Sequence, residues 1–275
     1  MKPRPRVVRL PLLAQALAGL ALALWIAYPN GSDLAQRLSQ GQPLRVGYAL
    51  EAPYAFLDDS GAPRGESIEV LQAALARMGI TQVQFIRLDF GSLLAELEQG
   101  RIDLIAGGLF ITPERAQRVR FTRPTAAVRP ALLLRAAAPA AGEPVRVVAI
   151  EGSVEAVEPG RYIVGEHRAL VLPDARSAMA ALRLGEADAI ALSAPSLRWM
   201  AQNDGADLAL RLQLIDIPAR GYPAFALLPE EAGFAARLDA ALADYLGSPD
   251  HLRTVEPYGF LAEDVQAALD WRPPE

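Results

Sequence analysis

One short stretch, residues 107–121, combines residue types that could bind an anion; it reads GGLFITPERAQRVRF. Thr112 is placed to cap a helix that begins at Pro113, so Arg115 falls in the first turn of that helix. A positive side chain there opposes the helix macrodipole, and a bound anion would compensate for it. A guanidinium suits a carboxylate because it donates two parallel hydrogen bonds. On residue type alone, Arg115 is more often an exposed helix residue, so both interpretations stay open at this point.

Aromatic and acidic residues near predicted strand ends form a second set of candidates. Tyr54 follows a strand in a proline-containing loop, which favours exposure to a cleft. Phe90 and Phe110 border apolar runs, and residue type alone favours the hydrophobic core for both. Glu51 carries little information by itself, because exposed glutamates are common.

The order of apolar runs predicts an α/β protein. Residues 44–50 (LRVGYAL) are typical of a strand, and residues 68–78 carry apolar side chains at helical spacing. Ser92 is predicted to cap a second helix, with Leu94 and Leu97 facing inward.

Two segments repeat one pattern. LEQGRIDLIAGG and LRLGEADAIALS each contain a glycine, two further residues, an aspartate and an apolar strand. Asp103 in the first segment matches Asp188 in the second. We interpret both aspartates as structural residues of the turn between a helix and a strand. The repeat indicates two similar lobes.

The segment between the two repeats is rich in alanine and proline, which indicates a crossing from one lobe to the other. A second crossing is predicted near residues 220–225, RGYPAF. These positions divide the chain into a first lobe of residues 44–134 plus 223–275 and a second lobe of residues 135–222. Two α/β lobes joined in this way place strand ends and helix starts on both sides of a cleft, where open α/β sheets bind ligands.

The N-terminus and the overall composition bound the function. Residues 1–28 carry four basic residues and then an apolar run, so they are a cleaved signal peptide or an N-terminal membrane anchor of a periplasmic protein. Without them the net charge falls from −5 to −9, which argues against a nucleic-acid partner. The chain has no cysteine, which excludes disulfides and a thiol nucleophile. Its only histidines, His167 and His251, lack partners at ligand spacing, so we predict neither a metal nor a cofactor.

These residues resemble the periplasmic solute-binding proteins of ABC importers for polar amino acids, over about residues 44–260. The resemblance implies a type II, or Venus flytrap, fold with two lobes and two hinge crossings. In that family the arginine at the helix start that matches residues 112–115 (TPER) holds the ligand carboxylate. The resemblance therefore favours Arg115 as a ligand-binding residue.

A tighter resemblance, to ectoine- and hydroxyectoine-binding proteins, rests on EAPYAFLDDSG, RGESIEV, FGSL, ITPER, RGYPAFA and the SPDHL…VEPYGF tail. It implies an aromatic box of Tyr54, Phe90 and Phe110 around a cyclic zwitterion. Glu51 would then meet the ring nitrogens, and Arg115 the carboxylate. Aromatic faces attract a delocalised cation, and each contributes roughly 0.5 to 2 kcal/mol when water is excluded.

The second lobe departs from the family pattern. Ordinary amino-acid binders carry an aspartate that holds the ligand ammonium at the position of Ser193, and Val154 replaces an expected threonine. Gly152 and Ser153 keep a glycine and a hydroxyl at a predicted helix start, where they can donate hydrogen bonds to an anion. Together with Gly108 in the opening stretch, these residues complete the predicted ligand-binding set.

We therefore expect a monomeric, non-enzymatic binding protein that closes around a small zwitterion and delivers it to an ABC permease. Two alternatives remain open. A cyclohexadienyl-dehydratase-like enzyme on the same fold would need a general acid, for which Glu51 is the candidate. A ligand-sensing domain would be held at the membrane by residues 1–28.

Overall fold

The computed structural model describes residues 34–136, 143–162, 166–217 and 220–272. The predicted export segment at residues 1–28 and most of the alanine-rich crossing lie outside these ranges. Within them, no helix is both long enough and apolar enough to span a membrane.

Two five-stranded sheets organise the described residues. In chain order the strands are β1 (Leu44–Tyr48), β2 (Phe56–Leu57), β3 (Pro63–Arg64), β4 (Val83–Arg87), β5 (Leu104–Ile105), β6 (Arg120–Phe121), β7 (Pro130–Arg135), β8 (Val145–Ile150), β9 (His167–Leu172), β10 (Ala189–Ser193), β11 (Leu210–Leu214) and β12 (Ala226–Leu227). The first sheet has the order β4-β1-β5-β12-β6, the second has the order β11-β7-β10-β8-β9, and β2 and β3 form a hairpin. In the first sheet β1 is parallel to β4 and β5; in the second, β8 is parallel to β9 and β10.

Helices cover these sheets and complete two α/β lobes. In chain order they are α1 (Leu34–Ser39), α2 (Glu66–Arg77), α3 (Leu93–Glu98), α4 (Pro113–Ala116), α5 (Val154–Val157), α6 (Pro159–Tyr162), α7 (Ala175–Leu184), α8 (Ala194–Asn203), α9 (Ala232–Tyr245), α10 (Pro249–Val255) and α11 (Ala262–Leu269). The first lobe consists of the first sheet with α1 to α4 and α9 to α11; the second consists of the second sheet with α5 to α8. Leu238 and Val265 of the C-terminal helices share a buried cluster with Leu71 of α2, so these helices pack back on the first lobe.

The two repeated aspartates make matching contacts in the two lobes. Asp103 accepts hydrogen bonds from the backbone N–H of Arg45 at 2.9 Å and from its Nη2 at 2.6 Å. Asp188 accepts from the backbone N–H of Arg146 at 2.9 Å and from its Nη2 at 2.7 Å. Each aspartate thus ties the start of β5 or β10 to the neighbouring strand, β1 or β8. The structural interpretation of both aspartates is confirmed.

The start of α3 differs from its prediction. A 3-10 turn, Phe90–Ser92, precedes the helix, and the Ser92 hydroxyl donates to the Asp89 carbonyl at 2.8 Å instead of capping α3. Leu93 and Leu97 of α3 are buried. Leu94, which was expected to face inward, is only partly buried and lines the cleft.

The chain crosses between the lobes at two paired segments. The N–H groups of Val128 and Gly221 each donate to the carbonyl of the other residue at 2.8 Å. β7 pairs with β10 and β11 and thus belongs to the second sheet. The predicted lobe boundary at residue 134 therefore falls too late in the chain, because it would split this strand from its own sheet. The apolar run of β7 gives no local sign of which sheet it joins.

His251 of α10 is buried among the C-terminal helices of the first lobe. Its ring is fully inaccessible, packs edge-on against Tyr245, and accepts a hydrogen bond from the Gly247 N–H at 3.2 Å through Nδ1. Burial lowers the pKa of His251 from 6.5 to about 4. Because the folded pKa lies below the unfolded one, the stability contribution of the neutral ring is fully present above about pH 6.5 and is lost as the pH falls towards 4.

We predict that His251 makes the protein sensitive to acid. Between pH 7.5 and pH 5 the unfolded chain takes up a proton on His251, while the folded protein keeps the ring neutral. This difference should lower the free energy of unfolding by about 2 kcal/mol. His251→Asn keeps an acceptor for Gly247 but cannot titrate, so this variant should lose about 2 kcal/mol less over the same interval. Urea unfolding at both pH values measures the difference. Equal losses in the two proteins would contradict the prediction.

Candidate functional site

The carboxyl ends of the parallel strands in both lobes face a common cleft. The loops after β1 and β5 approach it from the first lobe, and those after β8 and β10 approach it from the second. A small cavity at the centre is lined by residues of both lobes: Glu51, Phe90, Gly108, Phe110, Arg115, Ser153, Val154, Glu155, Leu192 and Ser193. Seven of the nine residues predicted from the sequence are among them. The cavity measures about 10 Å³, which is room for about one water molecule.

Arg115 bridges the two lobes across this cavity. Thr112 caps α4 by accepting a hydrogen bond from the Arg115 N–H at 3.2 Å, with Pro113 at the first helical position, as the sequence predicts. The guanidinium donates from Nη1 to the Phe110 carbonyl and from Nη2 to the Gly152 carbonyl, both at 2.7 Å. Arg115 is only 8% exposed, so it is not the surface residue that its type alone would suggest.

Of the three predicted box aromatics, two line the cavity. Phe90 and Phe110 contribute to its wall. Tyr54 is fully buried behind Gly108, whose φ is 74° and where an added Cβ would lie 2.8 Å from the tyrosine ring. The Tyr54 ring packs edge-on against Phe110 and Phe260, at centroid distances of 6.4 and 5.4 Å. Tyr54 therefore supports the wall from behind instead of presenting a face to the cavity.

A directed chain of hydroxyls crosses between the lobes. The Tyr54 hydroxyl donates to Ser193 at 3.2 Å, Ser193 donates to Ser196 at 3.0 Å, and Ser196 donates to Glu51 Oε1 at 3.2 Å. Ser193 also caps α8 by accepting from the Ser196 N–H at 3.4 Å. Ser193 is thus held between two hydroxyl groups, at the position where the resemblance implies an aspartate in ordinary amino-acid binders.

Two carboxylates are buried in the site. Glu51 is 7% exposed and Glu155 is 2% exposed. Desolvation, assisted by repulsion from Glu155, raises the pKa of Glu51 to about 8, against smaller opposing effects of Ser196 and Arg115. Desolvation raises the pKa of Glu155 to about 7, opposed by hydrogen bonding and by Arg115. Both acids therefore hold protons at much higher pH than an exposed glutamate does.

Sequence reasoning missed Glu155 and Ser196. Ser153 caps α5 by accepting from the Ala156 N–H at 3.2 Å, which places Glu155 in the first turn of that helix. The sequence does carry a signal for each residue. Glu155 is an acidic residue in the predicted first turn after Ser153 (GSVEA), and Ser196 follows the helix cap Ser193 by three residues (SAPS). Either is common at helix starts for purely local reasons, so neither identifies a ligand site without the tertiary structure.

The lobes also touch through backbone and aromatic contacts. Gly152 has a φ of 79°, and a Cβ there would lie 2.9 Å from the Gly91 Cα of the opposite lobe. Trp199 of α8 reaches the first lobe, where its ring lies 5.0 Å from Phe56 and 6.3 Å from Tyr258 between centroids. The described conformation therefore has the lobes in direct contact.

Comparison with known proteins agrees with this architecture. Residues 44–258 match the family described as bacterial extracellular solute-binding proteins, family 3. A probable amino-acid ABC transporter periplasmic-binding protein, y4tE, of Sinorhizobium fredii is 27% identical over 286 aligned positions, covering 98% of this chain and 95% of that protein. The crystal structure of EhuB in complex with hydroxyectoine superposes with a TM-score of 0.75 at 22% identity, covering 86% of this chain and 95% of EhuB.

A further solved structure with this fold is the ancestral amino-acid-binding protein AncCDT-1, a precursor of cyclohexadienyl dehydratase. It superposes with a TM-score of 0.70 at 19% identity and covers 83% of this chain and 99% of its own. The family match spans both lobes and every cavity-lining residue. This chain therefore belongs to the bacterial extracellular solute-binding proteins, family 3.

Proposed function

We propose that this protein captures a small zwitterion between its lobes in the periplasm and delivers it, as a monomer, to an ABC permease. The observation that carries the proposal is the placement of Arg115. Its buried guanidinium spans the gap between the lobes, where a bound carboxylate can engage it and draw both lobes together. A guanidinium presents five N–H donors in a fixed plane and matches two carboxylate oxygens.

The rest of the cavity suits the cationic part of a zwitterion. Phe90 and Phe110 supply aromatic faces, and Glu51 supplies a carboxylate. Cation–π contacts contribute roughly 0.5 to 2 kcal/mol each when water is excluded. Two such contacts with two charge-assisted pairs support micromolar binding, about −8 kcal/mol, once the costs of association are subtracted.

We propose ectoine- or hydroxyectoine-like cyclic zwitterions as the ligand class. A primary ammonium concentrates its charge and needs strong acceptors when it leaves water. The hydroxyl of Ser193, which already donates within the chain of hydroxyls, replaces the aspartate that provides such an acceptor in ordinary amino-acid binders. A ring-delocalised cation spreads its charge and gains more from Phe90 and Phe110.

Binding of any such ligand requires the lobes to separate first. The central cavity of about 10 Å³ admits no zwitterion while the lobes are in contact. It adjoins a larger space of about 430 Å³ that shares Phe90, Phe110 and Arg115 and reaches the hinge at Gly221. We infer that ligand enters an open form and that the lobes close over it by rotation about the paired crossings.

A second candidate function rests on the protonation of the buried acids. A cyclic-acid dehydratase needs a protonated group beside the leaving hydroxyl, and the pKa of Glu155 is raised to about 7 by burial. The binding function predicts no change in the ultraviolet spectrum when the protein is mixed with a cyclohexadiene carboxylic acid that carries a hydroxyl. Formation of an aromatic product that stops in Glu155→Gln would instead establish the enzyme.

Arg115→Lys should weaken binding of ectoine by more than tenfold, because lysine keeps the charge but loses the planar fork. Isothermal titration calorimetry with ectoine measures the loss. Arg123→Lys is the matched control, because Arg123 pairs with Asp239 at 2.9 Å and lines none of the cleft spaces described above. The ectoine affinity of this variant should be unchanged. Equal affinities of the Arg115 variant and the unmodified protein would remove Arg115 from the site.

Gly152→Ala should impair lobe closure. The added Cβ would lie 2.9 Å from the Gly91 Cα. Residue 152 also has a left-handed backbone conformation, which alanine disfavours. We expect at least a tenfold loss of ectoine affinity and a larger radius of gyration in solution scattering at saturating ectoine. Gly160→Ala, in the same lobe with no neighbouring atom within 4 Å, should behave like the unmodified protein. Normal compaction of the Gly152 variant would contradict the proposed closure.

Phe90→Leu keeps an apolar side chain but removes the aromatic face. We expect ectoine affinity to fall by about 3- to 30-fold, which corresponds to roughly 0.5 to 2 kcal/mol of cation–π energy. Phe85→Leu is a suitable control because Phe85 packs against Tyr48 on β1, with its ring centroid 6.3 Å away.

The unmodified protein should also prefer ectoine over glutamine, histidine and arginine by at least about tenfold. Tighter binding of any of these amino acids would overturn the proposed ligand class.

A further inference from the structure

The charges around the central cavity do not balance within the protein. Glu51 comes from the first lobe and Glu155 from the second, and both carboxyl groups line a space that also receives the single guanidinium of Arg115. Both acids are more than nine-tenths buried. With the lobes in contact, two ionised carboxylates would face one fixed cation.

An uncompensated carboxylate is costly in such a place. Removing a charge from water costs several kcal/mol unless an opposite charge and hydrogen bonds replace the solvent. Arg115 can neutralise one of the two carboxylates. The cavity has room for about one water molecule, so it cannot hydrate the other. The closed ligand-free arrangement therefore favours one bound proton shared by this pair.

Among the side chains that the structure describes, we find no second cation that balances the pair. Ser196 donates to Glu51, and Ser153 hydrogen-bonds Glu155. Tyr54 interacts electrostatically with both acids, and desolvation raises its pKa well above the ordinary value, so it remains neutral. Glu66, which acts on Tyr54, is a further buried acid whose pKa desolvation raises to about 7. These groups add hydrogen bonds and negative charge.

We propose that Glu51 and Glu155 form a cation clamp, with one carboxyl group from each lobe, which takes up one proton when the lobes close and presents the remaining carboxylate to the cationic group of a ligand. The proton comes from the solvent and forms one carboxyl O–H bond. Because a zwitterion brings no net charge, the proton stays on the pair when the ligand binds. The inference rests on the proposed binding function and adds Glu155 to the ligand-binding residues. It makes the open–closed equilibrium depend on pH.

The sign of the pH dependence follows from the two states. With the lobes in contact, desolvation raises the pKa of Glu51 to about 8 and that of Glu155 to about 7. Separation of the lobes would return water to both carboxyl groups and bring their pKa values back towards 4.3, the ordinary value for glutamate. Closure without ligand therefore becomes progressively less favourable as the pH rises from about 4.3 towards 8, and changes no further above that.

Solution scattering of the ligand-free protein between pH 5.5 and pH 8.5 tests the clamp without any assumption about the ligand. The radius of gyration should rise with pH as the lobes separate. Glu155→Gln removes one ionisable carboxyl and lets Glu51 pair with Arg115, so this variant should stay compact throughout. Glu186→Gln, an exposed change in the same lobe at the end of β10 that faces away from the cleft, should follow the unmodified protein. A radius independent of pH in the unmodified protein, or the same behaviour in both variants, overturns the clamp.

Calorimetry with ectoine as the cationic probe separates the clamp from the proposed function. At pH 7.5, heats measured in phosphate and in Tris buffers should show uptake of about one proton per ectoine bound, because the lobes close on the ligand. Glu155→Gln should take up none, and its ectoine affinity should not change with pH. Ectoine binding by the unmodified protein without proton uptake overturns the clamp and leaves the binding function intact. Absence of ectoine binding counts against the proposed ligand class, while the scattering experiment still decides the clamp.

Discussion

The burial of a guanidinium between two lobes is the constraint on which the site depends. Arg115 cannot be hydrated where it lies, so acceptors must reach it from both sides. The carbonyls of Phe110 and Gly152 do so, one from each lobe. A carbonyl can approach from the second lobe only if the backbones come close, and this is why Gly152 and Gly91 meet without side chains between them. The position of one arginine thus sets how closely the lobes approach.

The two lobes position their cleft loops by the same kind of contact within each sheet. In each lobe, an aspartate holds the strand that follows it against a neighbouring parallel strand. It does so by accepting hydrogen bonds from three nitrogens of one arginine: the backbone N, Nε and Nη2. The pairs are Asp103 with Arg45 and Asp188 with Arg146. These contacts lie at the opposite ends of the strands from the cleft. They hold the strands in register, so that the loops at the other ends project into the cleft from fixed positions. The repeated sequence pattern therefore supports the site indirectly, through the scaffold.

Local rules predicted the parts of the site that depend on neighbouring residues. The cap by Thr112 and the first-turn position of Arg115 follow from side chains three residues apart, and the structure shows both. Neighbouring residues could not predict the burial of Tyr54 behind the cavity wall, because that burial depends on Gly108 and Phe260, which are distant in sequence. The same is true of β7, whose apolar residues fit either sheet.

The acid at position 155 and the serine at position 193 are best understood together. An aspartate in place of Ser193 would stand beside Glu51 in the chain of hydroxyls and add a third carboxylate to a cavity served by one guanidinium. Each added buried anion costs several kcal/mol unless a cation accompanies it. A site that already draws one carboxylate from each lobe therefore gains more from a neutral residue at position 193. Serine there also completes the hydrogen bonds of Tyr54 and caps α8, which an apolar residue could not do. Under the proposed clamp, Glu155, on the other loop of the same lobe, supplies the second-lobe acid that Ser193 does not.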